Sequence, residues 1–264
     1  MPTPFMHLDF AERIRGEAAM PPALGRLLDG AWGAFCLGNV AVDMSAMGEM
    51  TREATHFYHV EPSLTAGRLE ERPYEVMWRA HPALARAGEM SVGKAVFVAG
   101  YCVHLWFDMI WYNEVFRPYF LQGKGWRDLR HLFTVHQVLL TYLDQLALAR
   151  LGKVTRRALG VAEPKDWLPF ASDASLMAWR DMIAEQLLPG RMSKTVEVYA
   201  ARLKMTPDEF AAHLTSQTWL EQELFGRVPV AEVEKHLAEG VKPALALTAD
   251  YLNDLYIVEE KVLE

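Results

Sequence analysis

The feature that most constrains this chain is an almost wholly apolar run at residues 95–111, AVFVAGYCVHLWFDMIW, with two ionisable side chains inside it. His104 and Asp108 stand four residues apart, so a helix places both on one face, one turn from each other. An unpaired carboxylate costs several kcal/mol to bury, so Asp108 needs a partner or a cation. A neutral imidazole and a carboxylate that converge on one point are good ligands for a divalent metal.

Composition limits the classes of protein to which the chain can belong. The 264 residues are 51% hydrophobic and 23% charged, which is typical of a globular protein and argues against disorder. The formal net charge is -7 and no block of Lys or Arg stands out, so nucleic acid is not expected as a partner. Cys36 and Cys102 lie in apolar runs without CxxC spacing, which favours two buried free thiols and a reducing compartment.

No segment of the chain predicts secretion or a membrane span. Residues 1–16 lack both a basic start and an uninterrupted apolar stretch, so we expect no secretory signal. Residues 95–111 come closest to a span, but Lys94 and Glu114 flank them and two ionisable residues fall inside. We therefore expect a buried core helix, no transmembrane segment and a cytoplasmic protein.

Nearly every segment predicts helix, and strand alternation nowhere extends beyond a few residues. We expect an all-α, multi-helix bundle that forms a single domain, 1–264, with a metal-binding core at 1–152 and a helical C-terminal part at 153–264. The predicted helices are one opened by Thr3 and Pro4, then 31–40, 75–87, 91–120 and 126–151, one opened by Ser172, one opened by a capping box at Thr206, and 241–263.

Five residues of the first part are candidate metal ligands. A helical bundle builds metal sites from side chains on facing helices, so ligands that are scattered in sequence can converge in space. The five candidates are His7, Asp43, His56, His104 and Asp108.

Each candidate also has a purely structural interpretation. His7 alone is typical of a partly exposed helical residue, and Asp43 alone is typical of a turn that ends a helix. His56 could merely cap or pack. His104 and Asp108 could form a hydrogen bond with each other inside the core.

Three motifs occur in an order that resembles the zinc-dependent phospholipase C family. They are GNVAVD at residues 38–43, THF at 55–57 and AGYCVHLWFDMIW at 99–111, and the opening MPTPFMHLDFAERI resembles the family's N-terminal helix. The resemblance covers about the first 150 residues. It implies an all-α fold, a cluster of up to three zinc ions, and hydrolysis of phosphodiester bonds in phospholipids, with relatives that cut nucleic acid.

The resemblance also implies a role for each matching residue. Asp43, His56, His104 and Asp108 would hold the central zinc, and Asp108 would bridge to a second ion bound by His7. Zinc would lower the pKa of a bound water so that hydroxide attacks phosphorus, while a second cation would stabilise charge on the non-bridging oxygens. On chemical grounds Asp43, if it is not fully committed to the metal, could also be the catalytic residue that orients or deprotonates the water.

The chain departs from the family pattern at several positions. Val42 replaces the proline before the first aspartate, and Glu114 replaces a histidine six residues after the helix aspartate. The family's later HxxxE pair is missing, because neither His131 nor His136 has a glutamate four residues on. The N-terminal amine is a ligand in the secreted enzymes, and this chain has no signal whose removal would expose one. We therefore expect one or two ions, zinc or another divalent metal.

Several further residues are weaker candidates. Glu114 could be an additional ligand, but a continuing helix would point it about 120° away from Asp108. His136 and Asp144 lie about two turns apart on one side of a helix, so one of them could reach the cluster or support a ligand; otherwise both belong to the core. If His56 merely caps or packs, His59, three residues later, is an equally credible surface neighbour.

Three classes of function remain open from the sequence. The first is a metal-dependent hydrolase acting on a small phosphoester or a phospholipid head group. The second is a non-catalytic metal-binding protein, and the third is a metal-free helical interaction module. An acidic chain without a basic amphipathic helix has no evident means of docking on anionic membrane, which counts against a conventional lipid-degrading enzyme. The sequence does not indicate the oligomeric state.

Overall fold

The fold is all-α in the computed structural model, which describes residues 1–59 and 67–262, with the backbone alone for 257–262. The structure is 74% helix, and the described residues contain no strand. The prediction of an all-α protein is therefore confirmed.

The described residues form α-helices of very different lengths, and the longest lie in the first part and at the C-terminal end. The α-helices are α1 (Pro4–Arg15), α2 (Pro22–Gly30), α3 (Trp32–Ala41), α4 (Arg52–His56), α5 (Pro73–Ala80), α6 (Val92–Ile110), α7 (Leu129–Arg150), α8 (Lys153–Ala158), α9 (Asp173–Gln186), α10 (Thr195–Leu203), α11 (Pro207–Thr215), α12 (Gln217–Trp219), α13 (Val230–Glu239) and α14 (Val241–Val262).

The helix starts that the sequence predicts are made by side-chain caps. The Thr3 hydroxyl accepts a hydrogen bond from the backbone N–H of Met6 at the start of α1, and Ser172 caps α9 in the same way. Thr206 forms the expected capping box ahead of α11. The helix predicted over 75–87 is wrong in extent, since α5 ends at Ala80 and two short 3₁₀ turns follow it. Leu263, the predicted end of the last helix, lies outside the described residues.

Two glycines allow α3 and α6 to cross in backbone contact. A Cβ atom on Gly38 would lie 2.0 Å from the carbonyl oxygen of Phe97, and one on Gly100 would lie 2.3 Å from that of Phe35. Real Cβ atoms do not approach backbone oxygen so closely, so only glycine permits this crossing. The crossing brings the C-terminal end of α3 against the middle of α6, where the ligand candidates lie.

Helix α6 is the central core helix. The continuous helical segment Val92–Leu121 is long and apolar enough to cross a membrane, but 83% of its most apolar window is buried inside the protein. It runs on from Ile110 as the π-helix Trp111–Leu121, and α3, α5 and α14 pack against its α-helical part. The buried apolar side chains form a cluster that extends from Phe5 to Leu252. These observations agree with the prediction of a buried core helix.

Candidate metal centre

The five predicted ligands come together from four separate parts of the chain. His7 lies on α1, Asp43 lies in the 3₁₀ turn Val42–Met47 that follows α3, His56 ends α4, and His104 and Asp108 lie on α6. The side chains of His7, His104 and Asp108 are 0% exposed, whereas that of Asp43 is 22% exposed. The cluster therefore lies inside the bundle and reaches solvent on the side of Asp43.

The distances across this cluster fall in a narrow range. The Nε2 atom of His56 lies 3.4 Å from Asp43 Oδ1 and 3.6 Å from Asp108 Oδ2. His7 Nε2 lies 3.6 Å from Asp108 Oδ1, and His104 Nε2 lies 3.9 Å from Asp108 Oδ2. The rings of His7 and His104 stack in parallel with their centroids 3.6 Å apart.

These separations suit ligands of a common cation better than hydrogen-bonded partners. A hydrogen bond to nitrogen spans about 2.7–3.2 Å, and all four separations are longer. Two atoms bound at about 2.0–2.1 Å to a tetrahedral metal ion lie about 3.3–3.4 Å apart. In particular, the distance from His104 to Asp108 is too long for the core hydrogen bond that was the structural alternative for this pair.

Two backbone carbonyls set the orientation of two of the imidazoles. His104 Nδ1 lies 2.7 Å from the carbonyl oxygen of Asn39, and His56 Nδ1 lies 3.1 Å from that of Arg52. A carbonyl only accepts, so Nδ1 of His104 carries the proton and its Nε2 keeps a lone pair. His56 Nδ1 also lies 2.9 Å from the Thr55 hydroxyl oxygen, which donates its own hydrogen to the Arg52 carbonyl and therefore accepts from Nδ1. His56 Nε2 keeps its lone pair as well. Both lone pairs face the cluster, which is the arrangement found for metal-bound histidines.

The cluster leaves polar atoms without hydrogen bonds among the described residues. These buried atoms are Nε2 of His7, His56 and His104, Nδ1 of His7, and Oδ1 of Asp108. Each such atom costs about 1–3 kcal/mol when it is left unsatisfied. All of these atoms lie in one cluster, and a single bound cation would satisfy several of them at once.

The electrostatics favour ligand-ready protonation states. Burial lowers the pKa of His7 to about 4, with a further contribution from His104, and burial also lowers the pKa of His56. Burial by itself raises the pKa of Asp43 and Asp108, but the neighbouring imidazoles, which are positively charged once they are protonated at low pH, outweigh it and hold both pKa values well below the usual range. At neutral pH the imidazoles of His7 and His56 are therefore neutral and both carboxylates are ionised, as metal binding requires.

Two residues beside the cluster were missed by the sequence analysis. Tyr58 donates its hydroxyl hydrogen to Asp108 Oδ2 over 2.8 Å, and Arg52 Nη2 donates to the Tyr58 hydroxyl oxygen over 2.7 Å. Arg52 Nη2 also lies 3.3 Å from Asp108 Oδ2. The available signal was the spacing in REATHFYH, since Arg52 and His56 stand one helical turn apart.

The amino group of Met1 also lies near the cluster. Burial lowers its pKa to about 6, while the negative charges of Asp108 and Asp43 oppose that shift. The group is therefore largely uncharged at neutral pH and does not add a full positive charge beside the candidate ligands.

The weaker candidates have other partners. Glu114 accepts a hydrogen bond from Arg68 at the surface, and His136 Nε2 accepts one from Trp111 Nε1 over 3.2 Å. Asp144 is buried and accepts hydrogen bonds from three hydroxyl groups, and its burial raises the pKa to about 6. None of these three side chains belongs to the groups of mutually close ligand atoms in the described part of the chain.

The cluster is separate from a large surface cavity in the described part of the chain. That cavity of about 980 Å³ lies between α5, α14 and the 3₁₀ turns after α5, and Trp78 and Tyr251 line it. None of the five candidate ligands lines it.

Comparison with known proteins yields no match among family models, curated proteins or solved structures.

Proposed function

We propose that the protein is a metal-dependent hydrolase of phosphoesters, in which His7, Asp43, His56, His104 and Asp108 hold one or two zinc ions. The observation that carries the proposal is the convergence of these five side chains from four parts of the chain, with nitrogen and oxygen atoms 3.4–3.9 Å apart. The Nε2 atoms of all three histidines and Oδ1 of Asp108 are without a hydrogen bond among the described residues. The order of motifs that resembles the zinc-dependent phospholipase C family supports the choice of reaction and of fold.

The two oxygens of Asp108 face different imidazoles, which supports a bridging role for this carboxylate. Oδ1 is the oxygen near His7, whereas Oδ2 is the oxygen near His56 and His104. His104 belongs to both groups of close ligand atoms, one with His7 and Asp43 and one with His56 and Asp108. This arrangement suits either one ion or a pair of ions that shares ligands.

The chain's own residues have distinct roles in this proposal. A bound divalent cation would supply the Lewis acidity that makes a water molecule nucleophilic near neutral pH. Asp43 stands at the solvent side of the cluster and is ionised, so it can orient that water and accept its proton. Asp108 stays fully buried and ionised through Tyr58 and the imidazoles, so it acts as a ligand rather than as a proton carrier.

A purely structural metal site is the second candidate function. A structural zinc site closes around its ion, while a catalytic site keeps a position open to water and substrate. The partly exposed side chains of Asp43 and Arg52, at 22% and 36%, leave one side of the cluster open. This openness favours the catalytic proposal.

The test combines metal analysis with a phosphodiesterase assay. Protein purified with zinc should contain one or two zinc ions per chain and should hydrolyse bis(4-nitrophenyl) phosphate, and EDTA should abolish the activity until zinc is restored. His104→Ala should lose both zinc and activity, whereas His136→Ala, which removes a buried imidazole outside the cluster, should keep both. Zinc-loaded protein without any phosphoesterase activity would favour the structural role, and wild-type protein that binds no zinc would reject the metal site.

A further inference from the structure

Arg52 is a cationic side chain at the open edge of a site that is built to bind a cation. It is the first residue of α4, and its side chain is 36% exposed. Its Nη2 atom lies 3.3 Å from Asp108 Oδ2, the same oxygen that lies 3.6 Å from His56 and 3.9 Å from His104. The guanidinium group therefore adjoins the space enclosed by the candidate ligands.

An arginine in this place is unfavourable for metal binding by itself. The guanidinium group is always charged, so it repels a cation at the cluster and competes with it for Asp108. A neutral donor would hold the carboxylate without this penalty, and Tyr58 already does so over 2.8 Å. The position of Arg52 is better explained by something that the positive charge attracts.

The guanidinium group is held in place but retains donors for a ligand. Its Cζ atom lies 4.8 Å from the centroid of the Tyr58 ring, and Nη2 donates to the Tyr58 hydroxyl oxygen. Among the described residues, the Nε and Nη1 atoms of Arg52 have no hydrogen-bond partner. A planar group with a fixed orientation and free N–H groups is suited to bind the oxygens of phosphate.

The charges of the site specify the kind of ligand. Histidine binds a metal as an uncharged ligand, so the two carboxylates of Asp43 and Asp108 would balance the charge of one divalent cation. Arg52 would then leave the site with one positive charge. That excess matches the single negative charge of a phosphodiester.

We propose that Arg52 forms, with the cation of the cluster, a subsite for a negatively charged phosphoryl group, and so selects anionic phosphoesters over neutral esters. The inference rests on the proposed function, because it places the phosphoryl group against the same metal centre. Arg52 would donate to a non-bridging oxygen on the solvent side, next to Asp43, the residue that would orient the water.

The test measures two affinities in the same variants. Arg52→Gln removes the charge, Arg52→Lys keeps a charge without the planar fork, and Arg79→Gln is a control that removes an exposed arginine paired with Glu71. Isothermal titration calorimetry should measure zinc binding first and then the binding of inorganic phosphate to the zinc-loaded protein. sn-Glycero-3-phosphocholine in a parallel titration presents the phosphoryl group as a lipid head group does, which distinguishes a free anion from a head group as the preferred ligand.

Loss of the Arg52 charge should weaken the binding of the anion but should not weaken the binding of zinc. Arg52→Gln should weaken phosphate or glycerophosphocholine binding roughly 10- to 100-fold, the worth of a charge-assisted hydrogen bond. Zinc affinity should stay equal or rise, because a repelling charge is gone. Arg52→Lys should fall between Arg52→Gln and the wild type, and Arg79→Gln should match the wild type for both ligands.

The contrary outcomes separate this inference from the function on which it rests. If the wild type binds zinc but neither anion, or if Arg52→Gln leaves anion affinity unchanged, the subsite is refuted and the metal centre stands. Loss of zinc binding in Arg52→Gln would mean that Arg52 only supports Asp108, which also refutes the subsite. A wild type that binds no zinc would overturn the proposed function and the subsite together.

Discussion

Replacing His104 by alanine should remove the stabilisation that zinc confers on the protein. The His104 imidazole donates from Nδ1 to the Asn39 carbonyl over 2.7 Å and directs its unpaired Nε2 into the cluster. It also belongs to both groups of close ligand atoms, with His7 and Asp43 and with His56 and Asp108. Its loss therefore affects a one-ion site and a two-ion site alike.

The size of the effect follows from linkage and from the length of the chain. Zinc at 100 times its dissociation constant stabilises the folded state by about 2.7 kcal/mol. For 264 residues, an unfolding entropy of about 2.1 cal/mol/K per residue amounts to about 0.55 kcal/mol/K, so the melting temperature should rise by about 5 °C. If the lost ligand weakens zinc binding about 100-fold, the same zinc concentration contributes only about 0.4 kcal/mol, which is less than 1 °C.

The assay compares thermal unfolding with and without zinc within each variant. His104→Ala also lowers the zinc-free melting temperature, because it leaves a buried cavity and an unpaired carbonyl at Asn39. Only the shift caused by zinc is therefore informative. His136→Ala removes another buried imidazole and should keep the shift of about 5 °C. A full zinc-induced shift in His104→Ala would refute the reasoning that its Nε2 is a ligand.

Four further outcomes are expected. Gly38→Ala should destabilise the fold by about 3 kcal/mol in urea unfolding, because its new Cβ atom would meet a carbonyl oxygen of α6. Gly30→Ala is the control and should not destabilise the fold, because its Cβ atom would meet nothing within 4 Å. Equal effects of the two substitutions would contradict the close crossing of α3 and α6. The Asp144 carboxyl, with a pKa raised to about 6, binds more protons when folded than when unfolded, so its ionisation costs stability as pH rises. The unfolding free energy of the wild type minus that of Asp144→Asn should therefore fall by up to about 3 kcal/mol between about pH 3 and about pH 7, which lie below and above the two pKa values. A difference that rises with pH would contradict this sign. Tyr58→Phe removes the donor to Asp108 and should weaken zinc binding about 10-fold in calorimetry, so unchanged affinity would exclude a supporting role. Prolonged EDTA treatment should lower the melting temperature of zinc-purified protein to that of the zinc-free form, and no change would show that zinc does not contribute to stability.

Local signals in the sequence were sufficient to predict most of the helices and the face that His104 and Asp108 share. The Thr3, Ser172 and Thr206 caps lie where short-range hydrogen bonding predicts them, because a cap depends on residues only three positions apart. The spacing of His104 and Asp108 predicted a shared face for the same reason. The helix predicted over 75–87 was too long, since residues after Ala80 form 3₁₀ turns that apolar periodicity does not distinguish from an α-helix.

The sequence by itself determined that the chain is all-α. It also indicated that several imidazoles and carboxylates lie in apolar segments, where burial without a partner costs free energy. Only the tertiary structure decided which of these side chains meet, because helix packing brings together residues as distant in the sequence as His7 and Asp108. The close crossing of α3 and α6 through Gly38 and Gly100 is part of that packing, and it sets the Asn39 carbonyl against His104. The tertiary structure also put Arg52 at the open edge. Spacing along one helix cannot specify a contact across several helices, since that contact depends on how their surfaces interlock.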